Sequence, residues 1–449
     1  MKRPLSGTPR FIACAPPRFS PASDFDAQPG PTRYAHHDQR ERPDNSRHRG
    51  RPRLAFFSHR PLAPPMNILA LEPWHSGTRR RFLDGLATHS AHDIRTVTMP
   101  GRFWRWRMEG GGVTLAQKVR SAVVDDGFRP DLLVATDMVN LPAVLSLSRP
   151  HLDDIPVVLY FHENQLTYPH PPDEERERAY AITNYLSALA ADRVVFNTQS
   201  HLDEFAEALP QLLRDFPDFT NMHTVRDIRD KSTVLHPGID LQAHDEYAGG
   251  RTTRTPRATA PPTVLWNQRW EYDKNPSGFF RMMNRLDDAG VPFRLILAGK
   301  HFYEQPEEFE QAFERYAGRI LHYGYAEDFD AYSRLLHRSD IVVSTARHEF
   351  FGVAIQEAIY CGCHPVLPNR LSYPELIPET HHRPLLHAPV LYDDEDHLFE
   401  VLRSILEREE RPLPPDTLRQ MPEPLDWRTH AADYDDLFES VAEARLTPA

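Results

Sequence analysis

Glu349 and Glu357 stand either side of seven residues in His348-Glu349-Phe350-Phe351-Gly352-Val353-Ala354-Ile355-Gln356-Glu357. The apolar run before them, Asp340 to Thr345, reads as a buried parallel strand, so the setting is strand, loop, helix. At such a junction the free N–H groups and positive dipole end of the helix point outward and can hold a phosphate. Gly352 lets a ligand approach that backbone, and Glu357, roughly one and a half turns into the helix, still reaches the mouth. A carboxylate there accepts hydrogen bonds from ribose or sugar hydroxyls, which suits a nucleotide sugar. An amphipathic helix with a solvated glutamate at each end fits the same spacing equally well.

Other residues carry chemistry of a compatible kind. Arg269 and Lys274 lie on the loop after the apolar run Thr263 to Gln268, where two cations could neutralise a leaving diphosphate; a solvated loop would also contain them. His162-Glu163-Asn164-Gln165 follows Val157 to Phe161 directly, at the sheet edge where α/β ligands bind. His162 can hydrogen-bond a sugar hydroxyl or carbonyl, or be a satisfied structural histidine. His75, Ser76 and Gly77 occupy the equivalent loop after the first strand. In Arg102-Phe103-Trp104-Arg105-Trp106-Arg107, interleaved cations and indoles could grip phosphates and stack unpaired bases; an alternating strand with one wet face reads equally well. Cys361-Gly362-Cys363 beside His364 lacks the second ligand pair of a zinc site, and Asp393 to Asp396 reads as a loop and first helical turn. No metal site is expected.

Apolar runs alternating with helical periodicity must position these groups. Strands are expected at Met66–Glu72, Ile94–Met99, Asp131–Thr136, Val157–Phe161, Asp192–Asn197 and Val234–Asp240, then at Thr263–Gln268, Phe293–Gly299, Ile320–Gly324, Asp340–Thr345 and His364–Leu367. Such βα alternation predicts doubly wound parallel sheets. Ser200 is a plausible helix cap, and residues 217–231 are polar without a clear element. The reading divides the chain into a basic, Pro-rich, disordered leader (1–65), a first α/β domain (66–245), a linker (246–260), a second α/β domain (261–426) and a helix (427–449) crossing back to the first.

The leader holds 12 of the 42 prolines and 12 Lys/Arg against 5 Asp/Glu, and could equally be an upstream start codon read through. Its surplus of basic charge leaves the rest of the 449-residue chain more acidic than the overall −12. That argues against nonspecific coating of nucleic acid, while permitting a local basic patch. No run approaches the about 18 apolar residues of a membrane helix. Three cysteines make no disulfide framework, which fits the cytoplasm.

Three stretches, Tyr160-Phe161-His162-Glu163-Asn164-Gln165-Leu166, Arg269-Trp270-Glu271-Tyr272-Asp273-Lys274-Asn275-Pro276, and His348 to Gly352 through Pro368-Asn369-Arg370-Leu371-Ser372-Tyr373-Pro374-Glu375, resemble the tRNA-queuosine α-mannosyltransferase family of GT-B glycosyltransferases. The likeness runs from Met66 onward. It implies an α/β GT-B fold, two Rossmann-like doubly wound parallel-sheet domains facing a central cleft. It implies GDP-mannose as donor substrate, queuosine of tRNA-Asp as acceptor through a cyclopentenediol hydroxyl, retention at the anomeric carbon, and no essential metal or cofactor. By motif, Arg269 and Lys274 would bind the diphosphate, Glu357 the ribose and Glu349 the donor sugar. Phe351, Gly352 and Val353 would offer backbone N–H groups to the phosphates, and His162 would orient the transferred sugar. His75, Ser76, Gly77, Arg102, Trp104, Arg105, Trp106, Arg107, Glu163, Asn164 and Gln165 would face the acceptor. A nucleotide-sugar enzyme acting on a small molecule or lipid, and a noncatalytic nucleotide-sugar or RNA-binding module, are the alternatives.

Overall fold

The computed structural model describes residues 64–169, 178–249, 260–299, 307–382, 384–410 and 412–446; the leader and most of the linker lie outside them. Strands β1 (Asn67–His75), β2 (Asp93–Pro100), β3 (Leu132–Thr136), β4 (Val157–Phe161), β5 (Arg193–Phe196) and β6 (Ser232–Val234) form one parallel sheet in the order β2-β1-β3-β4-β5-β6. Strands β7 (Thr263–Trp266), β8 (Arg294–Ala298), β9 (Ile320–Gly324), β10 (Ile341–Val343), β11 (His364–Pro368) and β12 (Leu391–Tyr392) form a second, also parallel, in the order β12-β11-β10-β7-β8-β9.

The continuous apolar runs are strands because helices cover both faces. In the first sheet Leu69, Leu71, Leu133, Ala135, Leu159 and Phe161 enter one core, while Ile68, Ala70, Leu132, Val134, Val158 and Tyr160 enter the other. The second sheet divides likewise, with Leu265, Ile296 and Val342 opposite Val264, Leu295 and Ile341. That is the period-two alternation of a strand buried on both sides. Helix Trp427–Leu446 supplies Trp427, Ala431, Tyr434, Phe438 and Val441 to the core that holds Ile68, Ala70 and Phe82. It thus packs on the first sheet although it follows the second in sequence.

Each strand order reverses once, between β1 and β3 and between β7 and β10. At these points neighbouring loops leave in opposite directions and open a crevice at the carboxyl ends of the strands. Apart from Cys361–Cys363, which precede β11, the motifs singled out above follow strands at these two edges.

The sequence reading fails in several places. Residues 104–109 form a helix, not an alternating strand, and 223–230 form another inside the stretch left unassigned. Thr198, not Ser200, caps the helix Gln199–Arg214 by accepting from the His201 N–H. β1 runs on to His75, so the first loop is shorter than expected. Among the described residues no helix is long and apolar enough to cross a membrane.

Candidate active site

On the second sheet, β10 leads through residues 344–352 into helix Val353–Tyr360. Gly352 takes φ +95° and ψ 48° at the helix start, a left-handed conformation that a side chain disfavours, and so turns the backbone into the helix. The loop after β7 packs against this junction. Lys274 is buried and its Nζ lies 3.0 Å from Glu349 Oε2, 2.9 Å from the His348 carbonyl and 3.2 Å from Asp273. Burial works against the ammonium, but Glu349 and Asp273 outweigh it and raise its pKa. Arg269 donates to the Tyr168 hydroxyl at 3.0 Å and to Asp273 at 3.3 Å. Thr345 Oγ1 donates to the Lys274 carbonyl, tying the two loops together. Asp273, which the sequence reading passed over, is therefore the carboxylate between both cations.

Glu357 is not a solvated end of an amphipathic helix, because it is 1 % exposed. Its Oε1 accepts from Arg81 of the first sheet's leading helix at 2.6 Å, and Oε2 accepts from the Tyr332 hydroxyl at 2.9 Å. His244 Nε2 stands 3.9 Å from Oε1. Burial pushes the carboxyl pKa up, but Arg81, His244 and Tyr332 more than offset this and hold it at about 2. Nothing in local spacing announces Arg81, which lies 276 residues away in sequence.

The first sheet contributes a second buried charge cluster at its reversal point. Arg79 makes a two-pronged pair with Asp137 at 3.0 and 2.7 Å and lies 3.6 Å from both Glu72 and Glu163. Burial, chiefly, raises the pKa of Glu72, Asp137 and Glu163 against the pull of Arg79; Glu72 and Asp137 are shielded from water, whereas the Glu163 side chain is 29 % exposed. Asp137 Oδ1 also accepts the His162 backbone N–H at 2.9 Å, which fixes the residue at the end of β4. The His162 ring packs against Phe82 and Tyr160 with centroids 4.7 and 4.8 Å away, and its Nε2 is buried without a hydrogen bond. Burial, aided by Arg79, drives its pKa well down, so the imidazole is neutral.

The two sheets face each other across these groups and touch around them. Thr198 Oγ1 donates to the Phe350 carbonyl at 3.0 Å. Glu375 receives the Gln199 and Ser200 backbone N–H groups at 2.8 and 3.2 Å, capping from the second sheet a helix of the first. His162, Glu163, Arg269, Lys274, Glu349 and Glu357 thus border one cleft, together with Arg79, Arg81, Tyr168, Tyr332 and Glu375, which the motif reading did not single out.

Several acceptor-side candidates make hydrogen bonds or ring contacts within the fold. Asn164 is fully buried and its Oδ1 receives the Leu166 and Thr167 N–H groups, shaping its own loop. Gln165 is buried, its N–H donating to Asn184 and its Nε2 to Glu163. Arg107 is buried and donates to the Pro100 carbonyl, while Trp104 packs on Tyr180 at 4.9 Å. His75 pairs with Asp84 at 3.0 Å, and Ser76 precedes the helix that Gly77 opens. Arg102, Phe103, Arg105 and Trp106 stay at the surface.

Two parallel six-stranded sheets in contact through charged loops at their carboxyl edges make up the GT-B fold. The catalytic domain of Arabidopsis thaliana starch synthase IV, bound to ADP and acarbose, has the same fold, with a TM-score of 0.61 over 85 % of this chain and 100 % of that one at 11 % identity. Residues 253–414 match the model of glycosyl transferases group 1, and residues 67–239 match that of the tRNA-queuosine alpha-mannosyltransferase N-terminal region. The Drosophila melanogaster tRNA-queuosine alpha-mannosyltransferase is 34 % identical over 317 residues, covering 70 % of this chain and 82 % of that protein. A GDP-mannose:cellobiosyl-diphosphopolyprenol alpha-mannosyltransferase of Xanthomonas oryzae is 25 % identical over 43 % of this chain and 45 % of its own. The chain belongs to the tRNA-queuosine alpha-mannosyltransferase family, and is a hexosyltransferase.

Proposed function

We propose that this enzyme transfers mannose from GDP-mannose to a cyclopentenediol hydroxyl of queuosine in the anticodon loop of tRNA-Asp, with retention of anomeric configuration. The observation that carries the reading is the 34 % identity to the Drosophila enzyme across 82 % of that protein. The name of the Xanthomonas relative supports GDP-mannose as donor.

In this reading the diphosphate lies over the start of helix Val353–Tyr360, with the Phe351, Gly352 and Val353 N–H groups toward it. Arg269 and Lys274 turn from Asp273 and Glu349 to its oxygens. Glu349, relieved of Lys274, accepts from the mannose hydroxyls, and Glu357 from the ribose. Neutral His162 cannot act as a cationic acid, and serves as a hydrogen-bonding partner that orients the sugar and acceptor. The bond from the anomeric carbon to the phosphate oxygen breaks as the acceptor oxygen joins the same face. The acceptor proton passes to the departing phosphate oxygen, giving GDP and mannosylated queuosine. Position and countercharge are the protein's contribution. A tRNA acceptor supports a cytoplasmic location for the enzyme.

Incubation with GDP-mannose and queuosine-containing tRNA, followed by nucleoside mass analysis, should show one hexose added to queuosine and stoichiometric GDP. Queuosine-free tRNA should stay unmodified. A queuosine peak of unchanged mass would refute the reading, and hexose on queuosine-free tRNA would refute its acceptor.

A further inference from the structure

The proposed acceptor is a base within an RNA loop, and the structure carries an exposed surface suited to such a loop beside the first sheet's edge. Helix Trp104–Glu109 is short and bears two different faces. One is anchored: Met108 is fully buried with Met138 and Tyr180, and Trp74 and Trp104 pack on them. These partners come from the end of β1, the loop after β3 and the helix after β4, all at the edge where the charged cluster lies. Gly101, just before the helix, sits so close to Ser76 that a Cβ there would overlap it, which binds this segment to the loop after β1.

The other face is open. Phe103 is 73 % exposed and Trp106 58 % exposed, large apolar rings of a kind normally turned inward. Phe103 also holds φ +57° and ψ 56°, a left-handed conformation disfavoured for a residue with a side chain, and its exposed ring returns little packing. Trp106 packs against Gly110, where a Cβ would collide with its six-membered ring. Arg102 and Arg105 flank the rings at the surface, and the Arg105 guanidinium rests 5.3 Å from the Trp104 ring centre. On a chain of net charge −12, a patch of two cations and two exposed aromatic rings is a local reversal of character. Unpaired bases stack on such rings while the cations meet their phosphates.

We infer that Arg102, Phe103, Arg105 and Trp106 form a platform on which unpaired bases flanking the modified nucleotide stack, splaying the RNA loop so that its target enters the cleft. This rests on the tRNA reading above. The platform sets affinity for the loop and leaves the nucleotide-sugar end untouched.

The test measures binding of an anticodon stem-loop separately from sugar transfer. Phe103→Ala and Trp106→Ala should each weaken stem-loop binding about 5- to 100-fold, with GDP affinity unchanged and Trp106→Phe restoring most of the loss. Arg102→Ala and Arg105→Ala should each make binding less salt-dependent, lowering the logarithmic slope by about 1. Unchanged stem-loop affinity in both alanine variants overturns the platform, as does an equal loss of GDP affinity, which would mark a folding defect. Because binding is read without transfer, a wild type that binds the loop but leaves queuosine unmodified would refute the mannosyl transfer and leave the platform standing.

Discussion

Glu357 is a buried carboxylate on the helix that begins after Gly352. Its carboxylate is held by Arg81 across the cleft and by Tyr332 beneath, and its pKa is held at about 2 against an ordinary 4.5. A group depressed in the folded state contributes stability above its unfolded pKa and loses it as the pH falls through the folded one. The window here runs from about pH 4.5 down to about 2. Arg81→Ala leaves the carboxylate buried without its cation, which should lower stability at pH 7 by on the order of 3 kcal/mol. Urea unfolding at pH 7 and at pH 3 checks this: the gap between wild type and variant should narrow at pH 3. A gap equally wide at both pH values would show that the guanidinium acts by packing alone. In the proposed donor pose the ribose would replace Arg81 on Oε1, and the half-exposed arginine is the partner that would give way.

The strand–loop–helix junction around Gly352 was legible because its signals are local: an apolar run, a glycine, then helical periodicity. Gly352→Ala isolates what the glycine does. A Cβ would meet Tyr373 only at an ordinary 3.4 Å, so the cost comes from φ +95° and not from crowding. The strain should amount to about 1–3 kcal/mol, relieved by turning the peptides of Phe351 to Val353 away from the helix axis. Steady-state kinetics should show KM for GDP-mannose raised about tenfold for each ~1.4 kcal/mol of lost contact, with KM for tRNA little changed; a normal donor KM would count against backbone N–H groups as phosphate ligands. The helix at 104–109 was illegible for the opposite reason. Alternating Arg and Trp imitates a strand, and only tertiary packing decides, burying Met108 and Arg107 on one side while Trp106 stays out. The β strands were easier because burial on both faces forces long apolar runs, whereas Arg79 and Arg81 look like surface residues of a basic helix until Asp137 and Glu357 are brought against them.

At the scale of the whole molecule, the two sheets meet through polar contacts and through rings, the centre of His201 lying 4.1 Å from that of Phe350 and the centre of His236 5.5 Å from that of Phe351. Arg81–Glu357, Thr198–Phe350, Arg269–Tyr168 and the Glu375 cap on residues 199 and 200 join the two sheets. The chain also crosses between them twice, and the crossings are bonded side by side: the Ile239 N–H donates to Leu425 at 2.8 Å and the Trp427 N–H to Ile239 at 3.0 Å. Gly238 fits there because the Trp427 ring occupies the space a Cβ would need. Two adjacent backbone segments make a natural pivot, and polar contacts at the far side make a closure that a ligand can exchange for its own. Glu375→Ala strips the cap and Arg81→Ala the ion pair, so the double variant should populate an open cleft. Small-angle scattering should then give a larger radius of gyration for the variant than for wild type, and GDP-mannose, held by Arg269 and Lys274 of the second sheet and meeting His162 of the first in the proposed pose, should draw it back toward the wild-type value. Identical scattering from both proteins, with and without the nucleotide sugar, would mean that the sheets are held by the crossings and the C-terminal helix alone.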